Sequence, residues 1–287
     1  MRPSQRQTMF RDAMINRGNA RNRMVCASRT LSLSTLQVEN RLAVTYMSAM
    51  SSSFSDPLYP YLLATARYRR RQEDASEFLA DILDEHVSPT LAPCFQGRLQ
   101  QTLECSNNSA HRWESAREDF TSLSLPLLRP NGTLIADAQS ALDFMLSPEL
   151  FELDGSAESR CRSCGCTRLW KHCAVTRPPR VLMLIFKRWA QPERPLFHRI
   201  RVDEQLVLSG YQYRLVAVVS HLGKSMNHGH YIAVVRHAVD GGSWWIYDDH
   251  EVRLAQPEEV STMVDAYHSH ASAPSPMHSY VAFYEAQ

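Results

Sequence analysis

The sequence predicts an α+β fold, with its helical signal early in the chain and β-type rhythm through the middle and the second half. Three observations predict it. Ala75, Phe78, Leu79, Ile82 and Leu83 recur at spacings of three and four, residues 95 to 128 alternate in the manner of strands, and β-type runs recur from Pro179 to the C-terminus. A helix burying one face needs an apolar stripe near a period of 3.6 residues, whereas a half-buried strand alternates with a period of two.

Taken in order, residues 1 to about 55 carry weak patterning. Seven arginines face a single acid, Asp12, in the first thirty positions, and a serine-rich stretch follows from Ser48 to Ser55, a composition expected to order poorly. The apolar spacing then predicts a helix over Gln72 to His86, with Asp74 and Glu77 three residues apart near its positive N-terminus. Pro89 and Pro93 are expected to end it. Strand alternation is clearest in Phe120 to Leu127, and Ala136 to Leu153 reads as a second helix with Ala141, Leu142, Met145 and Leu146 on one side. The later strands are predicted at Val181–Trp189, Tyr213–His221, His230–Arg236, Trp244–Asp248 and Tyr280–Tyr284. No internal repeat is present.

Composition narrows the function classes. At 287 residues and 44% hydrophobic the chain can bury a real core. Its 31 basic and 30 acidic side chains nearly cancel, which removes the strong positive field of a generic nucleic-acid or membrane-surface binder. The longest aliphatic or aromatic run, Val181 to Phe186, is far short of the roughly 20 residues of a membrane span, and no apolar leader core follows the N-terminal charges. The expectation is a protein without nucleic-acid or membrane partners. Seven cysteines, odd in number and uneven in placement, point to a reducing compartment. Four of them, Cys161, Cys164, Cys166 and Cys173, crowd into thirteen residues, a density that points to metal ligation before cross-linking.

The stretch from Val216 to Asp249 carries the chemistry. A strand ends near His221, a loop GKSMNHG follows, and His230 and Tyr231 open the next strand. Gly229 permits close backbone approach beside His230. The next strand delivers Asp248 and Asp249, and adjacent strands of a meander can set such a carboxylate against the imidazole. A base with an orienting acid needs only a nucleophile to become a thiol or hydroxyl hydrolase.

Five ordered stretches resemble the catalytic domain of the ubiquitin-specific proteases, cysteine peptidases that remove ubiquitin. QEDASEFL from Gln72 is similar to that family's QQDAHEFL box, departing at Glu73 and Ser76. FTSLSLPL from Phe120 and RPPRVLMLIFKRW from Arg177 resemble two of its strands. HLGKSMNHGHYIAVVR from His221 resembles its histidine box, and WWIYDDHEV with SYVAFYEA its acid box and last strand. The resemblance implies a papain-like hand with antiparallel β fingers and palm. A divergent N-terminus would occupy 1–56, the remaining thumb 57–90, the fingers 91–180 and the palm 181–287.

Carried over residue by residue, the resemblance makes His230 the general base, Asp248 the acid that fixes its tautomer and Asp249 a supporting polar group. Asp74 and Glu77 match the acidic positions that meet the arginines of ubiquitin's C-terminal tail, and Tyr231 would pack or hydrogen-bond at the cleft. Two carboxylates on one helix face suit a guanidinium partner. The fingers usually hold one zinc ion on two C-x-x-C knuckles. Here Cys161 and Cys164 form one, Cys105 stands without a partner because Asn108 occupies its place, and Cys166 or His111 is left to supply the fourth ligand.

The family's cysteine box, roughly N-x-G-N-T-C-Y, is matched only by NRGNARN from Asn16. Asn16 aligns with the oxyanion-holding asparagine, but Arg21 stands at the nucleophile, and a guanidinium that stays protonated cannot attack a carbonyl. Cys26, five residues on, is the alternative thiol; it would need His230 and a helix N-terminus to lower its pKa. Two readings stay open: a deubiquitinase, or a ubiquitin-binding pseudoprotease, unless the N-terminal sequence is truncated or wrongly joined. A third, a zinc-stabilised nucleic-acid module using Cys161, Cys164 and the RYRRR run from Arg67, is opposed by the near-neutral charge. The expected partner is ubiquitin or a ubiquitinated protein, met by a monomer in the cytoplasm or nucleus.

Overall fold

The structure, a computed structural model, describes residues 74–83, 92–152, 160–189, 196–225, 228–237, 242–249, 251–265 and 277–287. Asn16, Arg21, Cys26 and the basic run at 67–71 lie outside the described residues.

Helix α1 spans Ala75–Ile82. Asp74 caps it from an extended conformation, its carboxylate accepting the backbone N–H groups of Ser76 and Glu77, which would otherwise be orphaned at the helix start. Ala75, Phe78, Leu79 and Leu83 are all buried, so the apolar stripe faces the core. Pro93 does not terminate this helix. It sits inside a separate turn, α2 at Ala92–Phe95, where the first turn of a helix tolerates the missing N–H.

Two sheets follow. The smaller has four strands in the order β2-β1-β5-β4, built from β1 (Gly97–Cys105), β2 (Asn108–Phe120), β4 (Glu149–Glu152) and β5 (Arg168–Arg177). β1, β2 and β5 run 9, 13 and 10 residues against 4 in β4, and β2 is largely exposed. The larger sheet has eight strands, ordered β11-β10-β9-β8-β12-β6-β3 with β7 paired to β8. These are β3 (Leu123–Leu125), β6 (Val181–Phe186), β7 (Gln205–Leu208), β8 (Tyr211–Ser225), β9 (His228–His237), β10 (Ser243–Asp248), β11 (Glu251–Leu254) and β12 (Met277–Ala286). All of its pairs are antiparallel except β3 with β6.

The unbroken apolar run of β6 reflects burial on both faces. Val181 and Met183 join the cluster under α1 and α2, while Leu182, Leu184 and Phe186 join a second cluster on the opposite face. That second cluster takes in α3, Ala138–Leu146, and Val264 of α4, Pro257–Asp265. The helix expected over 136–153 is therefore shorter than its spacing predicted. Asp137 caps α3 through Ser140 N–H at 2.7 Å, and the chain turns extended at Ser147, the residue before Pro148, where a proline disfavours helix. Residues 149–152 then pair with β5 as β4; strand pairing overrides an apolar spacing that a short segment satisfies by accident.

Arg188, fully buried just past β6, holds three chain segments together. Its Nε donates to Ser279 O at 2.6 Å, and its Nη1 donates to Leu196 O at 3.0 Å and His198 O at 2.9 Å. Burial lowers its pKa to about 9.

Candidate active site and metal-ligand cluster

The loop expected between His221 and His230 is mostly sheet. The β8–β9 ladder runs Ser220↔Ile232, His221↔Tyr231 and Leu222↔His230, then resumes after an irregularity at Ser225↔His228. Gly229 explains why the two strands close so tightly there. A Cβ on it would lie 2.3 Å from His221 Nε2 and 2.5 Å from Leu222 O, so only a residue without a side chain fits against the buried imidazole. Alternation is lost to the eye in GKSMNHG because a Gly-rich, polar hairpin end carries no apolar face.

β10 pairs with β9 through Tyr247↔Ala233 and ends on Asp248. This places Asp248 Oδ1 2.5 Å from His230 Nε2, with both side chains partly open to solvent. The carboxylate fixes the proton on Nε2, which leaves Nδ1 as the nitrogen able to take or give one. Asp249 follows in a left-handed conformation, φ 50°, that non-glycine residues seldom adopt. Its Oδ1 is buried without a partner among the described residues. Ligand atoms of His230, Asp248 and Asp249 lie within 4.8 Å of one another.

Tyr231 is turned into the core, 9% exposed, with its ring 4.8 Å from His221 and 6.1 Å from Tyr280. Burial pushes the Tyr231 hydroxyl well up, and the neighbouring Asp74 adds to this. His221 is fully buried; its Nδ1 lies 3.3 Å from His278 Nε2. Burial holds it at about 4, against a smaller upward pull from Asp74 and a downward push from His230. Asp74 accepts a hydrogen bond from the Tyr280 hydroxyl, while Glu77 on the same helix turn is exposed.

The second constellation lies at the tip of the small sheet. The β1–β2 hairpin closes at Cys105↔Asn108, and β5 begins opposite it at Cys105↔Leu169. Before β5, the segment from Cys161 folds into a tight knuckle: Gly165 N–H donates to Cys161 O and Cys161 N–H to Cys166 O, both at 2.8 Å. Gly165 sits at φ 73°, the left-handed turn that glycine adopts without strain. Ligand atoms of Cys105, His111, Cys161 and Cys164 gather within 4.8 Å, with Cys105 Sγ 3.5 Å from Cys164 Sγ and Cys161 Sγ 3.6 Å from His111 Nδ1.

His111 thus stands in the quartet and Cys166 outside it, since the Cys166 thiol turns to Ser106 Oγ and Arg168 O, each at 3.5 Å. Asn108, where the second knuckle lacks its cysteine, lies 3.4 Å from the other ring nitrogen of His111 and so orients Nδ1 toward the thiols. Burial works to raise the Cys161 thiol, but backbone N–H groups of Ser163 and Cys164 and the neighbouring thiols bring it down to about 6. Cys105 is pushed up to about 11, chiefly by burial. Three thiols and an imidazole form a donor set that a tetrahedral, thiolate-preferring divalent ion accepts.

A sheet that carries a His–Asp pair at its strand ends, a short helix packed over one face and a second sheet tipped by a ligand cluster together define an α+β fold of the papain-like cysteine-peptidase type. The more particular assignment comes from comparison with known proteins. A model of the family described as ubiquitin carboxyl-terminal hydrolase matches residues 6–284, and the chain belongs to that family. Among curated relatives, ubiquitin carboxyl-terminal hydrolase 4 of Arabidopsis thaliana is 27% identical over 136 residues, covering 43% of this chain and 36% of the relative. Ubiquitin carboxyl-terminal hydrolase 13 of Saccharomyces cerevisiae is 25% identical over 264 residues, 88% of this chain and 33% of the relative. Human Ubl carboxyl-terminal hydrolase 18 is 25% identical over 199 residues, 62% of this chain and 52% of the relative. This chain therefore spans about half of these relatives' length or less.

Among solved structures, the SAGA DUB module bound to ubiquitin aldehyde is similar with a TM-score of 0.60 at 21% identity, over 77% of this chain and 50% of that one. The yeast SAGA DUBm is similar with a TM-score of 0.62 at 21% identity, over 97% of this chain and 63% of that one. At this identity the likeness establishes the fold.

Proposed function

We propose that this chain binds the C-terminal tail of ubiquitin and hydrolyses the isopeptide or peptide bond after its last glycine. The observation that carries the reading is the 2.5 Å bond between His230 Nε2 and Asp248 Oδ1. The thumb takes up 57–90, the fingers 91–180 except for β3 and α3, which pack with the palm, and the palm 181–287; the acidic first turn of α1 takes the basic tail on Glu77, while Asp74, which the resemblance also matched to the tail, caps that turn. Tyr231 packs beneath that cleft.

In the reaction, His230 Nδ1 accepts the thiol proton of Cys26, and the thiolate attacks the glycine carbonyl carbon. The tetrahedral oxyanion is held by the Asn16 side-chain amide. As the C–N bond breaks, the imidazolium returns its proton to the leaving amine, giving a thioester; water, deprotonated by the same imidazole, then releases ubiquitin's carboxylate and restores the thiol. Asp248 holds Nε2–H and stabilises the imidazolium, and Asp249 supports the turn beside it.

Zn2+ suits the quartet Cys105, His111, Cys161 and Cys164, where it would supply structural cross-linking at the finger tip and no catalytic step. The partners are ubiquitin and ubiquitinated proteins, met by a monomer in the cytoplasm or nucleus. Among the described residues no helix is long and apolar enough to cross a membrane.

Arg21 in the nucleophile register supports a second reading, a domain that holds ubiquitin without cutting it. Reaction with a ubiquitin carrying a C-terminal thiol-trapping electrophile separates the two. An adduct lost in Cys26→Ala and slowed in His230→Ala is the expected outcome. Binding without an adduct establishes the non-hydrolysing reading, and absence of both adduct and binding refutes the proposal.

A further inference from the structure

β12 does not pair evenly with β8. Ser279 lies opposite Ser220 and Val281 opposite Val219, so the register breaks between them and Tyr280 is the extra residue of a β-bulge. A bulge re-aims one side chain out of the alternation of its strand. Here it is held in place from below, because buried Arg188 donates through Nε to Ser279 O at 2.6 Å and its Nη2 lies 3.4 Å from Ser279 Oγ.

The re-aimed side chain is Tyr280, 4% exposed. Its hydroxyl donates to Asp74 Oδ2 and lies 3.5 Å from Ser76 Oγ. The other carboxylate oxygen of Asp74 accepts Ser76 N–H at 2.6 Å, Ser76 Oγ–H at 2.6 Å and Glu77 N–H at 3.3 Å. Both oxygens are thus engaged inside the fold, one on the helix and one on the sheet. The same ring lies 6.1 Å from that of Tyr231, the residue after His230.

We propose that Tyr280 is a positioning residue: its hydroxyl latches the N-terminus of α1 to the palm sheet through Asp74, so that Asp74 sets where the helix lies relative to His230 while the exposed Glu77 meets the tail's cations. The proposal rests on the ubiquitin-tail reading above for its ligand, and on the bulge and the hydroxyl–carboxylate bond for its geometry. Removing the hydroxyl leaves every charge in the cleft unchanged. Any loss in Tyr280→Phe therefore reports position and not electrostatics.

The test uses the whole chain and monoubiquitin, with Tyr280→Phe, Asp74→Asn and the double variant, followed by calorimetric affinity. Each single change is expected to weaken binding about tenfold, as for loss of one charge-assisted hydrogen bond, and the double variant no further than the singles. The loss in Asp74→Asn should be the same against a ubiquitin whose tail arginines are replaced by alanine. Amide exchange should accelerate at residues 75–77 in Tyr280→Phe and stay unchanged along β8. The proposal is overturned if Tyr280→Phe binds as tightly as the parent, or if the Asp74→Asn loss vanishes against the alanine-tail ubiquitin, which would make Asp74 a direct anchor. If the parent does not bind ubiquitin at all, the functional reading fails, and the exchange experiment alone decides the latch: local acceleration upholds it and unchanged protection refutes it.

Discussion

Gly229→Ala isolates the packing that seats His230. The added methyl would lie 2.3 Å from His221 Nε2, 2.7 Å from its Cε1 and 2.5 Å from Leu222 O. Gly229 is not among the left-handed glycines, so the penalty is steric and not torsional. Neither obstacle yields readily: His221 is fully buried against His278, and Leu222 O belongs to a residue laddered opposite His230. Overpacking of this kind costs about 1–3 kcal/mol, offset by up to about 1 kcal/mol because alanine narrows the unfolded ensemble. The net expectation is a loss of about 1 kcal/mol, or about 2–4 °C in Tm, with the β8–β9 hairpin displaced and reaction with the electrophilic ubiquitin reduced. Urea unfolding with an unchanged m value measures the first and adduct formation the second. An alanine variant with the parent's unfolding midpoint and parental ubiquitin binding would refute the reasoning.

Other perturbations give separate expectations. Arg188→Ala leaves the carbonyls of Leu196, His198 and Ser279 without their donor, and at about 1 kcal/mol or more for each unsatisfied group the chain should lose at least about 3 kcal/mol in urea unfolding. Arg188→Lys should recover only part of this, since one ammonium cannot span three separated acceptors. Metal analysis of the purified chain should give one zinc per molecule. His111→Ala should weaken its retention about 10–100-fold against a competing chelator while Cys166→Ser leaves it unchanged. Stability should fall in acid through His221. With its folded value depressed to about 4 by burial against an ordinary value near 6.5, the unfolded chain binds more protons between those pH values. The contribution is complete above about pH 6.5 and lost as pH falls toward 4, about 3 kcal/mol in all, and His198, also lowered by burial, slopes the same way. A flat urea midpoint from pH 7 to 4.5 would contradict this.

Much of the fold is legible in the sequence because burial on one face or two writes itself into spacing. The stripe from Ala75 to Leu83 marks α1, and the six apolar residues of β6 mark a strand covered on both sides. The β4 strand is not legible, because four residues are too few for any period and its pairing partner lies some twenty positions on. The β8–β9 hairpin end is hidden for a different reason: its residues are held by backbone ladder bonds, which carry no side-chain signature.

Within the site, the sequence by itself determined the chemical inventory: an imidazole after glycine, adjacent carboxylates at a strand end and a C-x-x-C knuckle, each tied to its element by local rules. Those rules act over a few residues and are read directly. Tertiary structure alone decided which groups meet. It brought Asp248 to His230 across eighteen positions, His111 to Cys161 across fifty, and Tyr280 to Asp74 across 206. Such meetings follow from strand order, register and one bulge in β12, which are properties of the whole sheet and are encoded at no single position.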